Sequence, residues 1–336
     1  MERVKAIVWN AAQGRLRAGW RMIAQLAITA LLYWIATTAF SWLEGALKDS
    51  ALWASLAVRV ATNLVRVSLT SLCILVSLLL AGRFLDRRPF KAFGFALDRG
   101  WWADLGFGMA LGAVLMGGVF AVERLAGWVT ITGSFQTNAS TFGVGLLLYA
   151  VLFINVSLQE EVMTRGYWLR NLAEGLNFRR LGPKGALLIS YGLTSALFGL
   201  MHLGNQNATL VSTLNLVLAG LFLGLPYVLT GELAISLGLH LTWNFFQGNV
   251  FGFPVSGGAS GTSYLVLQQG GPALWTGGAF GPEAGLIGVI AMLAGAGLVA
   301  LWVKYTRGRL SWHRALAAYS GATPPSPQTL LTEEEG

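Results

Sequence analysis

Glu160 and Glu161 stand side by side at the end of an apolar run, and two of the three histidines, His202 and His240, lie inside other apolar runs. An ionisable side chain is costly in hydrocarbon, so each of these is a functional candidate. Their spacings are helical. Glu161 and Arg165 are four residues apart and can pair on one helix face. Glu160 points roughly 100° away around the same helix and is free to face something else. Phe198 and His202 are again four apart, as are His240 and Asn244. Three segments therefore offer Glu160, His202 and the His240/Asn244 pair to a common interior.

A carboxylate and an imidazole that share a water molecule can deprotonate it for attack on a carbonyl. A second imidazole and a carboxamide can donate hydrogen bonds to the oxyanion that develops. Peptide-bond hydrolysis needs all of these parts. Glu160, His202 and His240 are equally acceptable zinc ligands, with a fourth position left for water, although no His-Glu-x-x-His helix is present. No Gly-x-Ser-x-Gly elbow supplies a serine nucleophile. Cys73 lies in an apolar run and reads as filler. The plainer alternatives are that Glu161 and Arg165 close a helix end, and that each histidine is a structural hydrogen-bonder.

The elements that position these residues must be membrane helices. Of 336 residues, 54% are hydrophobic and 11% charged, against roughly 25% charged in ordinary globular proteins. That is too little charge to cover a soluble surface. A single cysteine rules out a disulfide scaffold. The net charge of +8 raises nucleic acid as a partner, but no Lys/Arg stripe interleaved with stacking aromatics accompanies it, so none is expected. Eight stretches reach the roughly 20 mostly apolar residues of a spanning helix: 22–43, 67–85, 101–122, 142–160, 185–203, 210–229, 233–251 and 285–303. The expected fold is all-α, a polytopic membrane protein of about eight transmembrane helices, with membrane lipid as its surroundings.

Counted over alternate loops, Lys and Arg divide 19 to 4, which predicts both termini on the cytoplasmic side of a cell membrane. The first helix follows Arg15, Arg17 and Arg21 without a small-residue cleavage site and reads as a retained helix. Segment 50–66 reads as an amphipathic extension of the second helix. Asp86-Arg87-Arg88-Pro89-Phe90, followed by Phe93, Phe95, Trp101 and Trp102, reads as a basic-aromatic element at the cytoplasmic interface. Residues 252–284 are rich in Gly, Ser and Pro and read as a long external loop, and the polar tail ending in Glu333, Glu334 and Glu335 as disordered. No internal repeat suggests a proton-coupled transporter built of inverted halves.

Glu160-Glu161-Val-Met-Thr-Arg165, Phe198-Gly-Leu-Met-His202 and His240-Leu-Thr-Trp-Asn244 together resemble the three ordered motifs of the CAAX-protease and bacteriocin-processing family. These are intramembrane endopeptidases related to the type II CAAX prenyl endopeptidase. The patterns Glu-Glu-x-x-x-Arg, Phe-x-x-x-His and His-x-x-x-Asn are met in order, and the resemblance covers about residues 86–250. It implies Glu160 as general base, His202 as its partner in activating water, and His240 with Asn244 as the oxyanion hole. Glu161, Arg165 and Phe198 would support them. It further implies a membrane-associated protein or peptide substrate and a metal-free mechanism, with Zn2+ as the alternative. A non-catalytic immunity or scaffold protein is the competing function. The chain then divides into N-terminal helices (1–85), a protease-like core (86–251), the external loop (252–284), a last helix (285–304) and a cytoplasmic tail (305–336).

Depth presents a difficulty. With about 1.5 Å of rise per residue, His202 lies far along its helix while Glu160 lies at the cytoplasmic end of its own. The expected resolution is that the turn Gly204-Asn205-Gln206-Asn207 dips into the protein, which is tolerated only against protein or a wet cavity.

Overall fold

A helix satisfies its backbone polar groups within one segment, so an apolar chain in a bilayer settles as helices. The computed structural model describes residues 7–11 and 13–319; the acidic tail Glu333–Glu335 lies outside the described residues. A two-residue hairpin, β1 (Trp9–Asn10) and β2 (Arg15–Leu16), precedes α1 (Ala18–Lys48). Then come α2 (Leu56–Leu80) and α3 (Arg99–Leu125). Strand β3 (Val129–Thr137) leads into α4 (Phe142–Glu161), α5 (Gly182–Met201), α6 (Leu210–Thr230) and α7 (Ala234–Phe245). Strand β4 (Thr262–Gln269) and α8 (Leu286–Arg307) complete the order.

The protein is a polytopic all-α membrane protein, with seven helices among the described residues long and apolar enough to cross a bilayer. The stretch expected as an eighth span, 233–251, is α7, whose 12 residues are continued by a wider π-helical turn over Phe246–Val250. It is shorter than the others, and every residue from Ala234 to His240 is buried. Segment 50–66 is helical from Leu56 and continuous with the second span, as expected. Arg66 pairs with Glu44 of α1.

Further expectations need correcting. The 252–284 segment is not simply a loop. β4 pairs antiparallel with β3 from Val129↔Gln269 to Thr137↔Thr262, making a two-stranded ribbon. β3 carries three Thr with Val129, Ile131 and Phe135, β4 carries Tyr264, Leu265, Val266 and Leu267, and Asn249 and Ser260 hydrogen-bond the Thr262 carbonyl at the ribbon's base. Another correction concerns α4. It does not end at Glu161 but runs on through a π-helical Val162–Leu169 and a further α-turn, Arg170–Leu176, to give one helix of 35 residues. Glu160 is therefore a mid-helix residue, about 24 Å from the Leu176 end at 1.5 Å per residue. His202, just past the end of α5, is about 30 Å from its own start.

The continuation of α4 thus places both residues far along their helices. The 204–207 turn sits at the ribbon end. Asn205 Nδ2 donates to the Ser256 carbonyl at 2.9 Å, and Asn207 Nδ2 to that of Gly257 at 3.2 Å.

Small residues let α3 and α7 press together, as is usual where helices meet in lipid. A Cβ on Gly108 would stand 2.3 Å from the Ile235 carbonyl oxygen, and one on Gly238 2.4 Å from that of Leu105. At the other end, the turn between α6 and α7 is tied to the segment after α2, Leu233 N–H donating to the Gly94 carbonyl. The Asp86–Arg88 element is not laid on a surface. Asp86 and Arg88 are buried among other charges, and Phe93, Phe95 and Trp101 belong to a core cluster with Tyr167 and Leu233.

Candidate active site

Glu160, His202, His240 and Asn244 line one cavity of about 560 Å³, together with Phe198. α4 supplies the carboxylate, α5 ends in His202, and α7 contributes His240 and, one turn on, Asn244. Glu160 is partly exposed to the cavity, and its Oε2 lies 3.9 Å from His240 Nε2. That separation is too long for a direct hydrogen bond. The same Oε2 has no hydrogen-bond partner among the described residues, so a strong acceptor faces the cavity.

Beneath this lies a fully buried layer. His240 Nδ1 is 2.9 Å from Glu161 Oε1, and Arg165 Nη1 donates to that same oxygen at 2.9 Å. Arg165 also donates to Thr164 Oγ1 and to the Gly220 carbonyl of α6. Its guanidinium lies over the Phe198 ring, 4.6 Å from the centroid. The Glu161–Arg165 pair thus closes no helix end. It braces His240 from below and locks α4 to α6. The π-helical turns begin one residue after Glu161; such wide turns alter the phase of a helix and are frequent at functional sites. Gly166, one residue beyond Arg165, is where α4 meets the Phe93 backbone, 3.1 Å from where a Cβ would stand.

Hydrogen bonds to pure acceptors fix the histidine tautomers. His202 Nδ1 is 2.7 Å from the Phe198 carbonyl. A carbonyl only accepts, so Nδ1 carries the proton and Nε2 of the neutral ring holds a lone pair. A carboxylate likewise only accepts, so His240 Nδ1 is protonated against Glu161. The Phe198 ring contacts both imidazoles, tilted against His202 with centroids 4.9 Å apart and edge-on to His240 at 6.2 Å. Asn244 is half-buried at the cavity wall. Among the described residues no three His, Cys, Asp or Glu side chains converge as a set that could hold a metal ion.

Other residues of the site escape sequence reasoning. Ser71 of α2 donates to Gln159 Oε1, which adjoins the glutamate pair. Val255, Ser256, Gly258, Ala259 and Ser260, with Asn205 and Glu283, also line the cavity. Buried Glu283 accepts from Ser256 N–H at 2.6 Å and from Gln247 Nε2. Burial pushes its carboxyl up to about 7 against these hydrogen bonds. Its partners are distant in sequence, so no spacing marks it.

The family comparison falls on this region. Residues 141–246 match the family model of Rce1-like type II CAAX prenyl endopeptidases. Over that segment, 106 of the 336 residues, the chain is similar to the CAAX-protease family. The match begins at Thr141, the N-cap of α4, and ends two residues after Asn244, so it spans all the elements that carry the four cavity residues. It excludes α1–α3, the ribbon strands and α8. No curated protein and no solved structure is matched by the chain.

Proposed function

We propose that the protein is an intramembrane endopeptidase of a cell membrane, both termini cytoplasmic, that hydrolyses peptide bonds of membrane-associated proteins or peptides without a metal. The observation that carries this reading is the single cavity shared by Glu160, His202, His240 and Asn244. Glu160 accepts the proton of the attacking water, and the free Nε2 of His202 orients that water and relays its protons. The peptide carbonyl is attacked between them. The oxyanion that forms is held by the Asn244 amide and by His240 Nε2, which must be protonated to donate. Glu161 orients that ring by accepting from Nδ1. Collapse of the tetrahedral intermediate returns the proton from Glu160 to the leaving amine.

The test is cleavage of a fluorogenic peptide library by the purified protein in detergent. Glu160→Gln keeps the side chain's shape and removes the base, and is expected to reduce turnover to background while the protein still accumulates in membranes. His202→Ala and His240→Ala are expected to do the same, and chelators to leave activity intact. Undiminished cleavage by Glu160→Gln would reject the assignment. A cellular phenotype unaffected by all three substitutions would favour the non-catalytic scaffold.

A further inference from the structure

The two ends of the helix bundle differ in charge, and the cavity opens to only one of them. One end is formed by the described segments 15–21, 83–100, 170–184 and 304–314, which hold 16 Lys and Arg. They are tied to one another: Arg15 to Glu174, Arg170 to the Ala92 carbonyl, Asn177 to the Ala317 carbonyl. The other end carries the ribbon and the 202–209 turn, and its side of the bundle holds four cations, Lys48, Arg59, Arg66 and Arg124. Cations gather on the cytoplasmic side of membrane proteins, so the ribbon end faces away from the cytoplasm.

None of the residues lining the cavity belongs to the basic segments. Towards the basic end the cavity has a floor. From Glu161 to Leu169 every residue of α4 is buried, the Glu161–Arg165 pair is bonded across to α6, and Phe93 and Leu233 pack against Gly166. The exposed lining residues, Met201, Gly258 and Ala259, are all at the ribbon end. Along the α4 wall, Leu152 and Val156, with Ile74 of α2, are partly exposed and aliphatic. They suit a hydrophobic segment lying beside the site.

We propose that this site is loaded from the non-cytoplasmic side. Its substrate is then a polypeptide already moved across the membrane, retained there by an apolar anchor, and cut near the anchor's outer end. This rests on the endopeptidase reading for the word substrate, but the direction of access stands on charge and geometry alone.

Two measurements separate the two claims. In a Cys73→Ala background, Ala259→Cys at the cavity rim and Ala318→Cys at the basic end are treated with a membrane-impermeant maleimide. Labelling of Ala259→Cys in intact cells, and of Ala318→Cys only in inverted vesicles, is the expected result. The reverse pattern overturns the proposal whatever the protein's activity. The fluorogenic peptides are then offered outside sealed proteoliposomes sorted by orientation. Molecules with the ribbon outward should cleave them, and molecules with the basic end outward should not. Cleavage in detergent but only by basic-end-outward molecules in vesicles would refute the direction and leave the protease standing. Absence of Glu160-dependent cleavage in detergent would refute the protease, with the labelling still deciding the direction.

Discussion

Glu161 does at residue scale what neither histidine could do alone, since one of its oxygens serves both Arg165 and His240. Glu161→Gln retains an acceptor for His240 Nδ1 but removes the carboxylate that Arg165 and His240 share. Turnover should fall by about 10²- to 10⁴-fold, the range for loss of an orienting carboxylate or a proton-transfer group, with unfolding temperature less affected. Glu161→Ala leaves buried Arg165 unpaired and should in addition lose roughly 3–5 kcal/mol of stability, read from thermal unfolding in detergent. Glu283 makes a prediction in pH. Its folded pKa of about 7 lies above its ordinary 4.5, so the native state holds that proton more tightly than the unfolded chain does. Its contribution is full below pH 4.5 and is lost as pH rises to about 7, a change on the order of 3 kcal/mol. Glu283→Gln, which never ionises, should flatten the unfolding temperature across that window, and an unchanged slope would remove Glu283 as its source. The four cavity residues were legible because helical spacing and scarcity of charge isolate them. Glu161 was half legible, since its bond to Arg165 follows i,i+4 but its bond to His240 spans 79 positions. Glu283 reaches Ser256 and Gln247 across turns that leave no periodic trace.

Elements turn these residues into a site by where they start and stop. Hydropathy located the apolar part of α4 but ended it at the glutamate pair, because polar residues after an apolar run resemble a membrane exit. Backbone hydrogen bonding ignores that boundary, and the helix continues to Leu176. The ribbon was missed for a related reason. β3 and β4 are separated by more than a hundred residues, so no short turn of the hairpin type announces their pairing. The depth of His240 depends on the seating of α7 against α3 at glycine contacts. A Cβ on Gly112 would meet Thr242 Oγ1 at 2.3 Å and the Leu239 carbonyl oxygen at 2.6 Å. Gly112→Ala should therefore cost about 1–3 kcal/mol by overpacking and lower turnover in the molecules that fold. Gly106, on the same helix with open space around it, is the control. Gly106→Ala should leave stability unchanged or raise it by up to about 1 kcal/mol, since alanine is the better helix former. Equal effects at the two positions, measured by thermal unfolding, would mean that the α3–α7 contact does not set the fit.

At the scale of the whole molecule, the chain is closed at its basic end by buried charge and opened at the other by the cavity. Four arginines from three separate segments meet two carboxylates. Arg21 lies 2.6 Å from Asp86 and Arg15 2.9 Å from Glu174, with Arg88 and Arg170 also on Glu174. The Arg15 guanidinium lies over the Tyr319 ring, so the segments before α1 and after α8 are drawn onto the far end of α4. Cations outnumber anions there, and burial together with neighbouring Arg170 pushes Arg88 down to about 9. Such a cluster has no charge to spare on its acidic side. Glu174→Gln would leave four guanidinium groups, those of Arg15, Arg21, Arg88 and Arg170, around a neutral amide, which should remove roughly 3–5 kcal/mol of stability. Glu174→Asp, which keeps the charge on a shorter arm, should recover part of it. Glu174 is about 21 Å along the helix from Glu160 at 1.5 Å per residue, so turnover per folded molecule below the unfolding transition should stay near that of the parent protein. If instead turnover fell in step with stability in Glu174→Gln and returned with Glu174→Asp, the charge cluster would be coupled through α4 to the position of Glu160. The basic end would then govern the site as well as close it.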